Sequence, residues 1–222
     1  MAKAAKRKTA TGSGPAKTAS SRSRAATDPV DAMLALVAAD GWRKVTLTAV
    51  AEASGLRLAD LYGQYQSKND LLSAYARRVD AAMLAALGPA PQSDSSETAR
   101  DRLFEAIMAR LDALAPHKDA VRVLARDLPC DPPALLCFLY GGLRRGIDWT
   151  LAAAGLDAAG LAGILRRKLV GAVYLDVLRV WLRDDSPDLG ATMAHLDRRL
   201  QQAMRGLQAT GPFSHMRKKA AA

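Results

Sequence analysis

Apolar residues recur at helical spacing along most of the chain, beginning near residue 30. The first such stretch has apolar residues at Val30, Met33, Leu34, Val37 and Ala38. Spacings of i, i+3, i+4, i+7 and i+8 describe one buried face of a helix. Asp28 can cap this helix, Pro29 suits its first turn, and Gly41 can end it. The pattern therefore predicts an amphipathic helix between Asp28 and Gly41.

Three more short helices are predicted before residue 88. Thr46 can cap the second helix, which ends at Gly55, and the third covers about 58–65. The fourth begins after Ser67, with Asp70 placed three residues later to complete a capping box. Together with the first, these helices fill residues 27–87, which we interpret as one small helical domain.

Five longer apolar-periodic stretches follow. Their predicted positions are a helix from about 97 to 114, one opening at Pro116, one from Asp131 to Gly155, one from Asp157 to Trp181, and one after Ser186-Pro187. No stretch alternates β-branched and polar residues as a strand would. The sequence therefore predicts an all-α protein of about nine helices, four short and then five longer.

Charge and composition separate these domains from the segments around them. Residues 1–27 contain seven basic and no acidic residues, and 211–222 contain three more basic residues, so these ends carry the whole net charge of +10. We expect a disordered basic arm at 1–26, a linker at 88–96, a second helical domain at 97–210 and a flexible tail at 211–222. The ends can serve solubility or simply be disordered, and the neutral body shows no basic face for nucleic acid.

Cysteine, histidine and hydropathy patterns exclude several classes of function. Cys130 and Cys137 stand seven residues apart, about 10 Å along a helix, so we expect two reduced thiols in the core rather than a disulfide. The three histidines are scattered, and there is no nucleophile–base pair, paired carboxylates or phosphate loop. No signal peptide or bilayer-spanning run is present. We therefore expect a cytoplasmic protein that is not an enzyme, needs no cofactor or metal, and does not insert stably into membranes.

The stretch 46–65 has the spacing of a helix-turn-helix. A small residue at Ala51 lets two helices cross closely, and Gly55 supplies a left-handed turn after the first of them. Leu56 and Leu61 can then fill the gap between the two helices. This arrangement predicts that the helix beginning near residue 58 is a recognition helix for the major groove of DNA.

The residues around this motif resemble the TetR family of bacterial regulators. The matching blocks are DGW (40–42), Thr46, VAEASGL (50–56), LYGQY (61–65) and SKNDLL (67–72). The resemblance implies a three-helix DNA-binding domain at 27–87 and a helical ligand-binding and dimerisation domain at 97–210. It also implies a homodimer that binds double-stranded DNA, most members being repressors controlled by a small ligand.

Candidate DNA contacts follow from the motif. They are Lys44, Thr46, Thr48, Arg57, Leu58, Tyr62 and Lys68. Thr46 and Thr48 can offer hydroxyl and amide groups to a phosphate, and Tyr62 and Lys68 occupy positions that commonly contact phosphates in the family. Arg57 is the best candidate for a bidentate contact with guanine. The alternatives are helix packing for Tyr62 and a solvated side chain for Lys68.

Three positions depart from the usual TetR pattern. Arg57 stands where the family has a capping Ser or Thr, Asp60 where it often has Thr or Ser, and Gly63-Gln64 where it often has His-His. Asp60 favours the helix macrodipole, or can accept from a cytosine amino group, but it repels phosphates. Residues 28–87 hold six basic and seven acidic residues, an unusual balance for a DNA-binding domain that the basic arm could offset.

The second domain resembles a different family with a TetR-like fold. Residues 110–124, 171–189 and 191–204 are similar to the ubiquinone-biosynthesis accessory family of mitochondria and α-proteobacteria. That resemblance implies a dimeric protein that binds isoprenoid lipid and retains the helix-turn-helix as scaffold. Two functions therefore compete: a DNA-binding regulator with a small apolar ligand, and a lipid-binding accessory protein of ubiquinone biosynthesis.

A ligand pocket is expected between the helices of the second domain. Its candidate lining residues are Phe104, Met108, Leu111, Phe138, Leu139, Trp149, Tyr174, Asp176 and Trp181. Each apolar member can instead be ordinary core, but Asp176 in an apolar helix needs a partner, such as Arg179, Arg145 or a ligand. Helices at 158–183 and 187–208 are apolar on more than one face, which favours a two-fold four-helix dimer interface.

Overall fold

A computed structural model describes residues 27–88 and 98–209, and all regular secondary structure in those two ranges is helical. The expected arm at 1–26, most of the linker and the tail at 211–222 lie outside the described residues. The all-α prediction is confirmed. No helix of the described ranges combines the length and apolar character that crossing a bilayer requires.

Four helices form the first domain: α1 Pro29–Asp40, α2 Leu47–Ser54, α3 Leu58–Tyr62 and α4 Lys68–Leu87. Their N-termini are capped as the sequence predicts. The Asp28 carboxylate accepts from the amide of Val30 at 2.7 Å, and the Thr46 hydroxyl accepts from the amide of Ala49 at 3.1 Å. Ser67 and Asp70 form the expected capping box at the start of α4. The recognition helix α3 is shorter than predicted and ends at Tyr62.

Six helices form the second domain: α5 Ala99–Leu114, α6 Lys118–Asp127, α7 Pro132–Cys137, α8 Arg144–Ala153, α9 Gly160–Trp181 and α10 Gly190–Ala209. The described residues thus hold ten α-helices rather than nine, because a π-helical turn at Phe138–Leu143 divides the predicted helix 131–155 into α7 and α8. Such turns inside α-helices often mark functional sites.

Two predicted helix starts are wrong by three residues. Helix α9 begins at Gly160 rather than at Asp157, whose carboxylate accepts from the amide of Ala159 in the preceding turn. Helix α10 begins at Gly190 rather than after Ser186-Pro187. The Ser186 hydroxyl donates to the carboxylate of Asp184, which also accepts from the amide and hydroxyl of Thr192. Asp184 therefore caps the last helix from a distance.

One continuous apolar core joins the two domains, and helix α4 is the element that belongs to both. Leu71 and Leu72 of α4 are buried in the first domain, and Met83 of α4 meets Thr150 of α8 in the second. Helices α9 and α10 pack against each other at the far end.

The two cysteines are free, as expected, but the prediction that they lie in the core is wrong. Both Cys130 and Cys137 are exposed to solvent. Cys130 belongs to the turn after α6, and Cys137 is the last residue of α7, whose buried face is supplied by Ala134 instead.

Candidate nucleic-acid interface and ligand-binding interior

The helix-turn-helix has the packing that its sequence predicts. Ala51 and Leu61 are buried where α2 and α3 meet, and Leu56 packs against the same core. Gly55 adopts a left-handed conformation with φ +72°, and its amide donates to the carbonyls of Ala51 and Glu52. A glycine adopts this turn without steric cost, so α3 leaves the turn with its outer face toward solvent.

Six of the seven predicted DNA contacts in and beside this motif are exposed to solvent. They are Lys44, Thr46, Thr48, Arg57, Leu58 and Tyr62. Leu58 is 49% exposed and Tyr62 is 63% exposed, although both are apolar or aromatic side chains of the same short helix. We call these six residues the recognition surface. The exposure of Tyr62 disfavours the alternative that it is a helix-packing residue.

Within the recognition surface, Arg57 is paired with Asp60 of its own helix. The Arg57 Nε and Nη2 atoms donate to the two Asp60 carboxylate oxygens at 2.7 Å each. The hydrogen bond from Arg57 lowers the pKa of Asp60, and the same bond raises the pKa of Arg57. The two departures from the TetR pattern therefore compensate each other, and the acid orients the guanidinium.

Lys68, the seventh predicted contact, reaches inward instead of outward. Its Nζ donates to the carbonyl of Trp42 at 3.4 Å, lies 4.5 Å from the centre of the Trp42 ring, and is 3.8 Å from Asp131 Oδ2. Its side chain is only 28% exposed. The alternative of a solvated Lys68 is therefore wrong, and this lysine helps to hold the junction between the domains.

Trp42 is the centre of that junction, which the sequence analysis did not anticipate. Its ring is fully buried, its amide donates to Asp127 Oδ2 at 3.0 Å, and its Nε1 donates to Asp131 Oδ2 at 3.1 Å. Both carboxylates come from the second domain, from the end of α6 and the start of α7. The bulky residue of the DGW block therefore attaches the helix-turn-helix to the second domain.

The predicted pocket residues fall into three groups. Leu111, Tyr174 and Trp181 are buried in the core, and Phe104, Met108, Phe138 and Leu139 are partly buried against it. Trp149 is 46% exposed on α8, so its assignment to an interior pocket of the protomer is wrong. Its helix turns the neighbours Ile147 and Thr150 inward instead.

Of the two arginines expected to pair with Asp176, Arg179 acts on this carboxylate through its charge, whereas Arg145 is near Asp80 instead. Asp176 Oδ2 lies 2.8 Å from His195 Nε2 and 2.8 Å from Arg199 Nε, both on α10. The hydrogen bond with His195 is the main cause of a lowered pKa for Asp176, although partial burial opposes the shift. Asp176 is therefore a surface link between α9 and α10 rather than a pocket residue.

A buried polar cluster stands where an apolar pocket was expected. Asp80 of α4 and Arg110 of α5 each have side chains only 5% exposed, and Arg110 Nη1 donates to Asp80 Oδ1 at 2.5 Å. Arg145 reaches the same carboxylate from α8, with its Nε 3.7 Å from Asp80 Oδ2. The guanidinium carbon of Arg110 also lies 5.4 Å from the centre of the Tyr174 ring on α9. Four helices thus contribute to one interior charged site, which we call the Asp80–Arg110 cluster.

The protonation of this cluster follows from its surroundings. Burial works to lower the pKa of Arg110, but Tyr174 and Asp80 outweigh it and raise that pKa above its ordinary value. Arg110 therefore remains a cation inside the protein. The sequence does carry a signal for it, because Arg110 falls on the buried stripe Leu103, Ile107 and Leu114, where a charge is unusual.

Within the two described ranges, no group of three or more His, Cys, Asp or Glu side chains is arranged to hold a metal ion. The recognition surface can contact a large partner, such as a nucleic acid. The buried cation of Arg110 can contact a small partner.

Comparisons with known proteins gave two kinds of match, one to a family model and one to solved structures. The COQ9 family model matches residues 148–206, which extend from α8 into α10. This confirms the predicted resemblance of the second domain to a lipid-binding family with a TetR-like fold. No curated protein matches the sequence.

Several solved structures of bacterial proteins share the fold along most of their length. A TetR regulator from Nitrosomonas europaea has a TM-score of 0.59 at 24% identity, over 79% of this chain and 95% of that one. A TetR regulator from Rhodococcus sp. RHA1 has a TM-score of 0.54 at 17% identity, over 79% and 92% of the two chains. BioQ from Mycobacterium smegmatis has a TM-score of 0.53 at 20% identity, over 83% and 98%. The fold is therefore TetR-like.

Proposed function

We propose that the protein is a transcriptional regulator, a repressor in the usual manner of TetR proteins, that binds double-stranded DNA under the control of a small ligand. The observation that carries the proposal is the exposure of Leu58 and Tyr62 on α3. A recognition helix presents its outer side chains to a groove, so two large exposed side chains on α3 suit this role. We propose neither a catalytic activity nor a cofactor for this protein. We expect it in the cytoplasm.

The recognition surface offers both kinds of contact that a DNA reader needs. Thr46 and Thr48 lie at the start of α2, where hydroxyls and unpaired amides can bind a phosphate. Lys44 and Tyr62 are also exposed and can contact the backbone as well. Arg57 uses Nε and Nη2 toward Asp60, so its Nη1 edge points away from that carboxylate and can address guanine.

The proposal includes a homodimer formed through α9 and α10. Apolar side chains are exposed on these helices at Leu161, Ile164, Leu165, Leu175 and Met193, with Leu161 87% exposed. A patch of this kind on two long neighbouring helices suits a two-fold four-helix interface. Two recognition helices would then address a pseudo-palindromic site. Ile164→Glu should shift the mass measured by analytical ultracentrifugation from dimer to monomer.

DNA binding by the full chain is the decisive test. We would measure fluorescence anisotropy with the gene's own upstream region and with scrambled DNA at about 150 mM salt, with and without residues 1–26. Tyr62→Ala should weaken binding to both DNAs by about tenfold and leave the salt dependence unchanged, because tyrosine neutralises no phosphate charge. Tyr140→Ala is the matched control, because Tyr140 is 72% exposed in the second domain. Equal losses in the two variants, or binding that depends on the arm and ignores sequence, would refute the proposal.

The COQ9 match favours a second candidate, a lipid-binding accessory protein of ubiquinone biosynthesis that retains the helix-turn-helix as scaffold. The match covers helices of the second domain, where a lipid would lie. Mass spectrometry of the purified protein tests it: a co-purifying isoprenoid lipid, together with absent DNA binding, would favour this function over regulation.

A further inference from the structure

Among the described residues, one buried group of side chains carries more positive than negative charge. The Asp80–Arg110 cluster contains two guanidinium groups, of Arg110 and Arg145, and one carboxylate. Among the described residues, Arg110 Nε, Arg145 Nε, Arg145 Nη2 and Asp80 Oδ2 are buried without a hydrogen-bond partner. Buried polar groups are nearly always satisfied, so an unsatisfied set at one place requires an explanation.

We propose that the Asp80–Arg110 cluster is the binding site for the head of an apolar monocarboxylic acid, whose carboxylate bridges Arg110 and Arg145. This inference rests on the proposed function, because it names the chemical class of the ligand. It differs from the expected apolar or isoprenoid ligand in requiring a negative charge.

The net charge of the Asp80–Arg110 cluster favours a ligand with a single negative charge. Two guanidinium groups and one carboxylate leave a net charge of +1, and a single carboxylate brings it to zero. A planar carboxylate also matches the paired N–H donors of a guanidinium better than a hydroxyl or a quinone oxygen does. A phosphate with two negative charges would instead leave the cluster with a net charge of −1.

The surroundings select an apolar tail. Ile107 and Leu114 lie one turn before and one turn after Arg110 on the same face of α5, and both are buried. Tyr174 covers Arg110 from α9, and partly buried apolar residues of α5 and the π-helical turn pack against the same core. A ligand whose head is held here would therefore have its remaining atoms among apolar side chains.

The site is also accessible from solvent through Arg145, and Gly146 leaves room beside it for the guanidinium of Arg110. Arg145 is 37% exposed although its Nε and Nη2 are buried, so it connects the surface with the interior. A Cβ atom on Gly146 would lie 2.3 Å from Arg110 Nη2, so the guanidinium of Arg110 would have to shift. Glycine at this position therefore lets Arg110 lie flat against α8.

Helix α4 can transmit occupancy of this site to the recognition surface. Asp80 stands on α4 two residues after Arg78, whose guanidinium pairs with Asp28 at 2.9 Å and with Asp31 of α1. A ligand carboxylate that draws Arg110 or Arg145 away from Asp80 alters the packing of α4 in the second domain. The same rigid helix continues into the first domain, so α1 and the helix-turn-helix are affected together.

The test is calorimetric titration of the full chain with decanoate and with decan-1-ol, which share a tail and differ in charge. Decanoate should bind saturably and about tenfold or more tighter than the alcohol. Arg145→Gln should remove this preference and leave binding of the alcohol unchanged. Arg144→Gln is the control, since Arg144 is an exposed arginine beside Arg145 on α8. Circular dichroism shows whether each variant is folded, and Arg145 is exposed enough for its replacement to be tolerated.

Every outcome of these titrations either supports or overturns the proposal. Equal binding of acid and alcohol, absence of acid binding, or equal effects of the two arginine variants would overturn the proposal. Adding decanoate to the DNA-binding assay separates it from the proposed function. If decanoate binds at Arg145 but the protein binds no DNA, the acid site stands and the regulator does not. If the protein binds its DNA but not decanoate, the regulator stands and the acid site does not.

Discussion

The recognition surface and the Asp80–Arg110 cluster differ in how their positive charges are balanced by carboxylates. On the surface, Arg57 lies against a carboxylate that receives both of its hydrogen bonds, one cation to one anion. In the interior, Arg110 and Arg145 share Asp80. Of these two sites, the exposed Arg57–Asp60 pair is balanced in charge, and the buried Asp80–Arg110 cluster has one cation in excess.

Solvent explains why the two regions can differ. An exposed ion pair is screened by water and contributes little to stability, so the Arg57–Asp60 pair can serve to orient Arg57 without the fold depending on it. A buried cation cannot replace a lost partner with water, so the stability of the fold depends on the partners that this cation keeps. The comparison teaches that the outer pair governs recognition, whereas the inner cluster governs stability and, on our proposal, ligand choice.

The strongest test of this contrast is Asp80→Asn. The change preserves shape and removes the single negative charge between two guanidinium groups. We expect the free energy of unfolding, measured with urea, to fall by about 3–5 kcal/mol, because an uncompensated buried charge is left behind. Arg145→Gln should cost much less, since Arg145 is partly exposed. A loss for Asp80→Asn no larger than that for Arg145→Gln would contradict this account.

Gly146→Ala probes the same cluster through space rather than charge. The new methyl group would collide with the guanidinium of Arg110, so we expect a loss of about 1–3 kcal/mol, typical of overpacking. Gly63→Ala is the control in the first domain, where the nearest atom to a new Cβ is 3.6 Å away. Gly63 has φ −61°, so alanine there should leave stability unchanged or raise it. Equal destabilisation of the two variants would argue against the close packing of Arg110.

A third test uses Asp184, a carboxylate that is fully satisfied by neutral donors. Hydrogen bonds from Ser186 and then Thr192 hold its pKa well below the ordinary value. Its stabilising effect is therefore complete above about pH 4, the ordinary aspartate range, and is lost as pH falls through the lowered folded-state pKa. We expect thermal melts of Asp184→Asn to show a lower midpoint at neutral pH and a smaller further fall on acidification. A steeper fall than in the unchanged protein would refute the assignment.

Local rules predict the first domain well. Asp28, Thr46, Ser67 and Gly55 act at helix ends, where the choice of residue is dictated by backbone groups a few positions away. Such signals are contained in the sequence around them. The resemblance to TetR proteins adds the order of helices, which the fold confirms.

The interior of the second domain could not be predicted in the same way. The Asp80–Arg110 pair joins residues 30 positions apart, and Arg145 and Tyr174 come from two further helices. Each charge interrupts an apolar stripe, which signals a partner without naming it. Asp176 shows the same limit, since its partners on α10 were missed, and Trp149 shows that an aromatic residue in an apolar helix can be exposed.

The smallest effect on stability is expected for Asp60→Asn, the same chemical change as Asp80→Asn made on the recognition surface. Arg57 remains in water when Asp60 loses its charge, so we expect no measurable shift in the urea midpoint. Binding to DNA should respond in two ways: affinity for scrambled DNA should rise about fivefold, because a charge facing phosphates is gone. The preference for the specific sequence should fall, because Arg57 is no longer oriented. Destabilisation comparable to that of Asp80→Asn would erase the contrast between surface and interior, whereas unchanged base preference would remove Asp60 from recognition.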